Sequence, residues 1–450
     1  MKTRTTFRRH CQRASLLASL VMLLPFAAYS SDPIPAPKQK KPIALIGGTI
    51  YTVSGAVIPN ATIVFDKGKI TALGTQVSIP ADAEKIDVTG KRVYPGLIEA
   101  STIIGLIEIG SVRGTFDFSE TGQINPNARA EVAVNPESEL IPVARSGGIT
   151  VAATLPRGGL ISGTSAAMMM DGWTWEDMTL KAPLGLVVNW PSMVYRPGRF
   201  SRQTREQWLK NRDEQLKALD KAFEDARAYV NAKNAEKEKG IPYHDTDVRW
   251  EAMIPVLNGT VPVWVRAEEL SEIQAAVAWA EQQKLKLVII GGRDAWRVTG
   301  QLKAKHIPVV LTDILNSPSR RWEDYDLVYS LPQRLHQEGV LFCIAGDGDP
   351  SNDRNLNHHA AAASAFGLSQ ADALKAITLD AAKVLGIDSM VGSLEVGKDA
   401  TIIVTDGDIL QLSTSVEREF IQGKKIDLRD KHKQLYEKYE EKYRQLSAAR

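Results

Sequence analysis

Two cysteines and seven histidines are all that 450 residues offer of the side chains best suited to soft and borderline metals. Cys11 falls in the N-terminal segment and Cys343 stands alone in an apolar run, so neither a disulfide framework nor a cysteine-rich zinc site can form. Charge of one sign is also missing. With 55 basic and 53 acidic residues the net charge is +2, without the clustered basic face that a nucleic-acid partner would require. The longest apolar run, Ala14–Ala28, is interrupted by Pro25 and falls short of the roughly 20 residues that span a bilayer. Internal repeats are absent. The glycine-rich stretch PRGGLISGT (Pro156–Thr164) reads as a loop, and it lacks the Lys-Ser/Thr of a phosphate loop.

Five cations and no acid (Lys2, Arg4, Arg8, Arg9, Arg13) precede the apolar run, and small residues follow at Ala28-Tyr29-Ser30. This is the build of a cleaved secretory signal peptide over residues 1–30, which predicts a secreted or periplasmic protein with no membrane span. Loss of the five cations takes the charge from +2 to −3 in the mature chain.

Residues 31–42, rich in Pro and Lys, read as a linker. Short β-rich runs punctuated by glycine fill 43–94 and predict a small antiparallel sheet. From Pro95 the pattern changes to apolar runs separated by helical stretches: GITVAATL, LGLVVNW, VPVWVRA, LKLVIIGG, IPVVLTD and VLFCIAGD. Near-continuous apolar runs suit parallel strands buried on both faces, so residues 95–389 predict a (β/α) barrel with functional groups at the C-terminal strand ends. A charged stretch at about 201–240 places Leu209, Leu216, Leu219, Phe223, Ala226 and Val230 at helical spacing, giving one apolar face for packing on the barrel rim. Residues 390–428 return to strand character, and 429–450 read as a charged terminal helix, either solvated or an oligomer contact.

The order of PGLIEASTI (Pro95–Ile103), barrel, ITLDAAKVLGI (Ile377–Ile387) and GSLEVGKDATIIV (Gly392–Val404) resembles the amidohydrolase superfamily, in particular its imidazolonepropionase-like and secreted prolidase-like branch. The resemblance runs from about Ile43 to Asp427. It implies an α/β fold: a TIM-like (β/α)8 barrel with a small β-sandwich assembled from both chain ends. It also implies hydrolysis of carbon–nitrogen bonds in non-peptide amides, cyclic amides or peptide-like substrates by a metal-activated water.

Family members hold one or two divalent ions with two histidines after the first barrel strand, an acid or modified lysine after the fourth, and single histidines after the fifth and sixth. An aspartate after the eighth shuttles protons. Carried over position by position, the first-strand pair falls on Ser101 and Ile103, the fifth on Arg266, and the sixth on Gly291, or Gly292 if the frame slips by one. No lysine stands at the fourth. The eighth-strand carboxylate is kept as Asp347, the general base by family position, with Asp349 two residues on. Ser101, Ile103, Arg266, Gly291 and Asp349 would then line the pocket.

His358 and His359, with Asp347, Asp349 and Asp353, form the best local set of groups that could rebuild a zinc-like site. Helix neighbours point about 100° apart, however, and the alternative is capping by Asp353 or Asn357 with solvated histidines. Glu99 or Glu108 could instead pair with Arg266 where the metal would be. Two readings therefore stand: a hydrolase with a divalent metal, or a catalytically inactive relative with none. The second would bind a small-molecule or peptide-like ligand, as a homo-oligomer or with an intact amidohydrolase.

Overall fold

The computed structural model describes residues 34–196, 203–236, 243–346 and 348–448. The signal segment 1–30 and Asp347 lie outside the described residues.

Five strands open the fold: β1 (Ile43–Tyr51), β2 (Val57–Asp66), β3 (Lys69–Gly74), β4 (Glu84–Asp87) and β5 (Arg92–Pro95). β2 runs antiparallel to both β1 and β3, whereas β4 and β5 pair with β1 in parallel, so this sheet is mixed rather than purely antiparallel. The chain then enters β6 (Leu97–Thr102), β7 (Ile149–Thr154), β8 (Ile161–Thr164), β9 (Ala166–Met169), β10 (Thr179–Lys181) and β11 (Leu186–Asn189). β12 (Val263–Ala267), β13 (Leu287–Gly291), β14 (Val309–Leu311) and β15 (Phe342–Ile344) follow, each pairing in parallel with the strand before it. Last come β16 (Ile402–Thr405), β17 (Val416–Ile421) and β18 (Lys424–Lys425). β16 pairs with β5, so strands from both ends of the chain share one eight-stranded sheet.

The wall of parallel strands has one exception. β6 and β7 are parallel, and β11 to β15 are parallel, but the two runs are joined by β9 and β8 in the opposite direction: β9 pairs antiparallel with β7, and β8 with β11. Only residues 155–160 separate β7 from β8, too few for the dozen or more that a parallel crossover needs, so the chain must turn back. Half of the glycine-rich stretch expected as a loop is therefore strand β8.

Alternate residues of these strands feed two cores. Val263, Val265, Ile289 and Val309 pack with Ile273, Ala276, Leu302 and Leu331 of the covering helices. Trp264, Val288, Ile290, Val310 and Cys343 face the other way, with Ala381, Leu385 and Val391. Ala381 and Leu385 come from the helix Leu379–Leu385, which ends at Gly386 with φ +65, the left-handed C-cap for which glycine is best suited. The helix Arg205–Ala235 starts at a Thr204–Gln207 capping box and buries Leu219, Phe223, Ala226 and Tyr229. Leu209, Leu216 and Val230, expected on the same face, are only half-buried. The terminal helix Lys431–Ala448 buries no residue. Among the described residues no helix is long and apolar enough to cross a membrane.

Where the end-built sheet meets the wall, charges are buried. Asp171 accepts from Arg145 Nη1 (3.1 Å), Lys424 Nζ (3.0 Å) and the Ala36 amide (3.2 Å). Beside them Glu419 is buried with neither carboxylate oxygen hydrogen-bonded, and desolvation pushes its pKa well above the usual carboxylate range, against the pull of Arg145. The folded state therefore favours the neutral acid. That contribution is whole below the unfolded value of about 4.5 and is lost as pH rises through the folded value. Glu419→Met should accordingly be more stable than the wild type at pH 7, with the gap closing toward pH 4; parallel Tm–pH curves for the two proteins would refute this.

Candidate functional site

The C-terminal ends of the parallel strands gather the sequence-selected residues into one region, with Arg266 of β12 in register beside Asn189 of β11 and Ile290 of β13. Ser101 and Ile103 stand at the end of β6. Ser101 is buried at 2% exposure, and its amide donates to Glu99 (3.0 Å). Ile103 is buried in the same core cluster as Leu97 and Ile104. It belongs to the packing between strands and helices, as its hydrophobicity dictates.

Glu99 and Glu108, the carboxylates expected to meet Arg266, are engaged elsewhere. Glu99 is fully buried and accepts from the Gly346 amide at 3.0 and 3.2 Å, while Glu108 accepts from Asn135 Nδ2 (3.1 Å) and Ser138 Oγ (3.0 Å). Among the described residues the Arg266 guanidinium makes no hydrogen bond or ion pair. The residue is half-buried and its Nε is shut off from solvent. Desolvation, then the charge of neighbouring Arg157, push its pKa down to about 10, against a smaller pull from Glu268. It is still a cation at neutral pH.

Gly291 has φ +96, and a Cβ built there would collide with the Glu268 carboxylate. The volume into which a sixth-strand histidine would project is therefore taken by a side chain from the neighbouring strand end. Glu268 accepts from the Arg293 amide (3.2 Å), and its own pKa is raised, chiefly by burial.

After β15, Asp349 is exposed and accepts from Ser351 N (3.0 Å) and Oγ (2.8 Å). Asp353 is buried and accepts from Thr102 Oγ1 (2.6 Å), so it ties β6 to the segment after β15 instead of capping a helix. Asn357 likewise donates to the Ile409 carbonyl (2.8 Å) and does not cap. His359 is buried at 3% exposure, whereas His358 is half-buried with its pKa lowered by desolvation.

The glycine-rich segment lies over this region. Arg157 Nη2 donates to the Gly348 carbonyl (2.6 Å), and Asn189 Nδ2 donates to the Gly159 carbonyl (2.8 Å) and Ser162 Oγ (3.0 Å). Sequence reading missed Arg157, Glu268 and the Glu99–Gly346 bridge. The only signals were an arginine in a glycine-rich run and a glutamate two residues beyond the fifth-strand position. A separate cleft of about 900 Å³ lies along Pro35–Gln39, Trp173 and Gln422, away from the strand ends.

A model of the amidohydrolase family matches residues 329–427. The amidohydrolase tasK of Hapsidospora irregularis is 21% identical over 421 residues, 88% of this chain and 42% of that protein, so the chain spans under half the length of this relative. The imidazolonepropionase of Mesorhizobium japonicum is 24% identical over 374 residues, covering 78% of this chain and 87% of that one. The crystal structure of an amidohydrolase from Thermotoga maritima MSB8 superposes with a TM-score of 0.77 at 26% identity, covering 86% of this chain and all of the other. The chain is thus similar to the amidohydrolases, by the family model over residues 329–427 and by fold along most of its length.

The amidohydrolase metal nevertheless does not fit the residues found here. A buried isoleucine, a guanidinium and a glycine whose side-chain space holds a neighbour's carboxylate replace three of the four histidines. Arginine has no lone pair to give and stays protonated, so the fifth-strand position repels a divalent ion. Among the described residues no three His, Cys, Asp or Glu side chains converge as a metal-binding group. His358 and His359 differ in burial and share no site.

Proposed function

We propose that this chain is a catalytically inactive amidohydrolase relative, exported from the cytoplasm, that uses the strand-end region to bind a small-molecule or peptide-like ligand. The observation that carries the reading is the Arg266 guanidinium, unpaired among the described residues, at the position where the family needs a neutral imidazole. In this reading β6–β9 and β11–β15 close into an eight-position barrel, the end-built sheet forms one layer of a β-sandwich, and the terminal helix contacts a second copy or an intact amidohydrolase.

The test is metal content. Mature chain purified without chelator, after expression with zinc, manganese or iron, should hold no ion above background, and Asp347→Asn should leave that value unchanged. About one tightly held ion per chain, lost in Asp347→Asn, would overturn the proposal in favour of a working hydrolase of C–N bonds.

A further inference from the structure

Placing a cation among strand ends without a counter-charge is costly. A buried or half-buried guanidinium is ordinarily satisfied by carboxylates or carbonyls, because its desolvation is otherwise uncompensated. Arg145 and Arg320 obey that rule. Arg145 is bonded to Asp171, and Arg320 to Asp294 at 2.7 Å and Glu323 at 2.7 Å. Arg266 has no such partner among the described residues, and its surroundings compound the cost. The charge that acts on it most strongly is another guanidinium, that of Arg157, and the opposing charge, Glu268, is turned into the space above Gly291 and bonded to the Arg293 amide.

Among the described residues, two carboxylates near these strand ends are held by specific bonds. Glu99 is fixed on the Gly346 and Ser101 amides, and Asp353 on Thr102. Arg157 is pinned in place by the Gly348 carbonyl, and the loop that carries it by Asn189. Among the described residues Arg266 is thus retained as a cation at the strand ends while Glu99 and Asp353 are bonded to other groups. Arg266 is also not sealed in, since part of it remains open to solvent.

We propose that Arg266 is the receptor for an oxyanion, a carboxylate or phosphate group of the bound ligand. A planar fork of donors fits either group through two parallel N–H···O bonds, and the ligand's charge supplies what the protein withholds. The inference rests on the ligand-binding reading and names the class of ligand: anionic, with its charged group directed at the β12 end.

The experiment is a thermal-shift titration of the full mature chain with sodium succinate and, separately, inorganic phosphate, each against sodium chloride at matched ionic strength. The wild type should show a saturable rise in Tm with at least one of the two anions, and the stronger response tells carboxylate from phosphate. Arg266→Met should lose on the order of ten- to a hundredfold in affinity, the range for a hydrogen bond to a charged group. It should also melt no lower than the wild type without anion, because it removes an unpaired cation. Arg266→Lys keeps the charge but not the fork and should fall between the two; it also serves if the methionine variant does not fold.

An unresponsive wild type would overturn the proposal. So would undiminished affinity in Arg266→Met, or in Arg266→Lys if that is the variant that folds. Metal content is read separately in the same preparations. An ion found there sinks the inactive-relative reading, whereas anion binding that survives loss of Arg266 sinks this one.

Discussion

Replacing Asp171 with alanine should cost about 3–5 kcal/mol of unfolding free energy, because it leaves a buried cation without its partner. Asp171 holds Arg145 at 3.1 Å, Lys424 of β18 at 3.0 Å and the Ala36 amide at 3.2 Å. Arg145 is 4% exposed and its Nε has no other hydrogen bond, so water cannot take over the lost contact. One carboxylate therefore joins the N-terminal segment, the helix Leu140–Ser146 and the sheet built from both chain ends. Asp171→Asn keeps the shape and an acceptor and should lose roughly half as much. Urea unfolding at pH 7 measures both. If the alanine variant lies within about 1 kcal/mol of the wild type, the junction is not held by this charge.

Trp264→Ala should be comparably destructive, at about 3–5 kcal/mol. The indole is 1% exposed and lies among Val187, Leu184 and Val288 on the strand face that also carries Arg266 two residues on. Its edge occupies the space left by the missing side chain of Gly185, where a Cβ would collide with the ring. The alanine variant thus opens a cavity directly beneath the site, while Gly185→Ala should destabilise by overpacking the same spot. The indole Nε1 has no hydrogen-bond partner, so Trp264→Phe gives up volume but no bond and should retain most of the stability. The prediction fails if phenylalanine and alanine cost the same, since the loss would then not scale with the cavity.

The parallel strands were legible because each is a short apolar run whose alternate residues enter different cores, as with Val263, Trp264 and Val265. The antiparallel strand was not. ISGTSAAMMM opens within a glycine-rich stretch that reads as a loop and has few β-branched residues, and its direction is set by the shortness of residues 155–160. At the site, the sequence exposed the replacement of histidines by Ser101, Ile103, Arg266 and Gly291, because fixed spacing carries that information. Where Glu268 goes depends on the positive φ of Gly291 on a neighbouring strand, and Thr102 meets Asp353 across 251 residues of chain. Neither contact leaves a local pattern. The expected Glu–Arg266 pair failed for the same reason: spacing brought the charges near each other, but backbone amides claimed the carboxylate first.

The join between β15 and β6 has a further consequence. Within each of the two sheets, neighbouring strands are stitched by a ladder of main-chain bonds, whereas here the described contacts run through the Glu99 carboxylate and the Thr102 hydroxyl. Parting these two strands breaks a few side-chain bonds instead of a ladder, so slow amide exchange should be least protected along this line. The wall has a seam, and it opens beside the place where the ligand would sit.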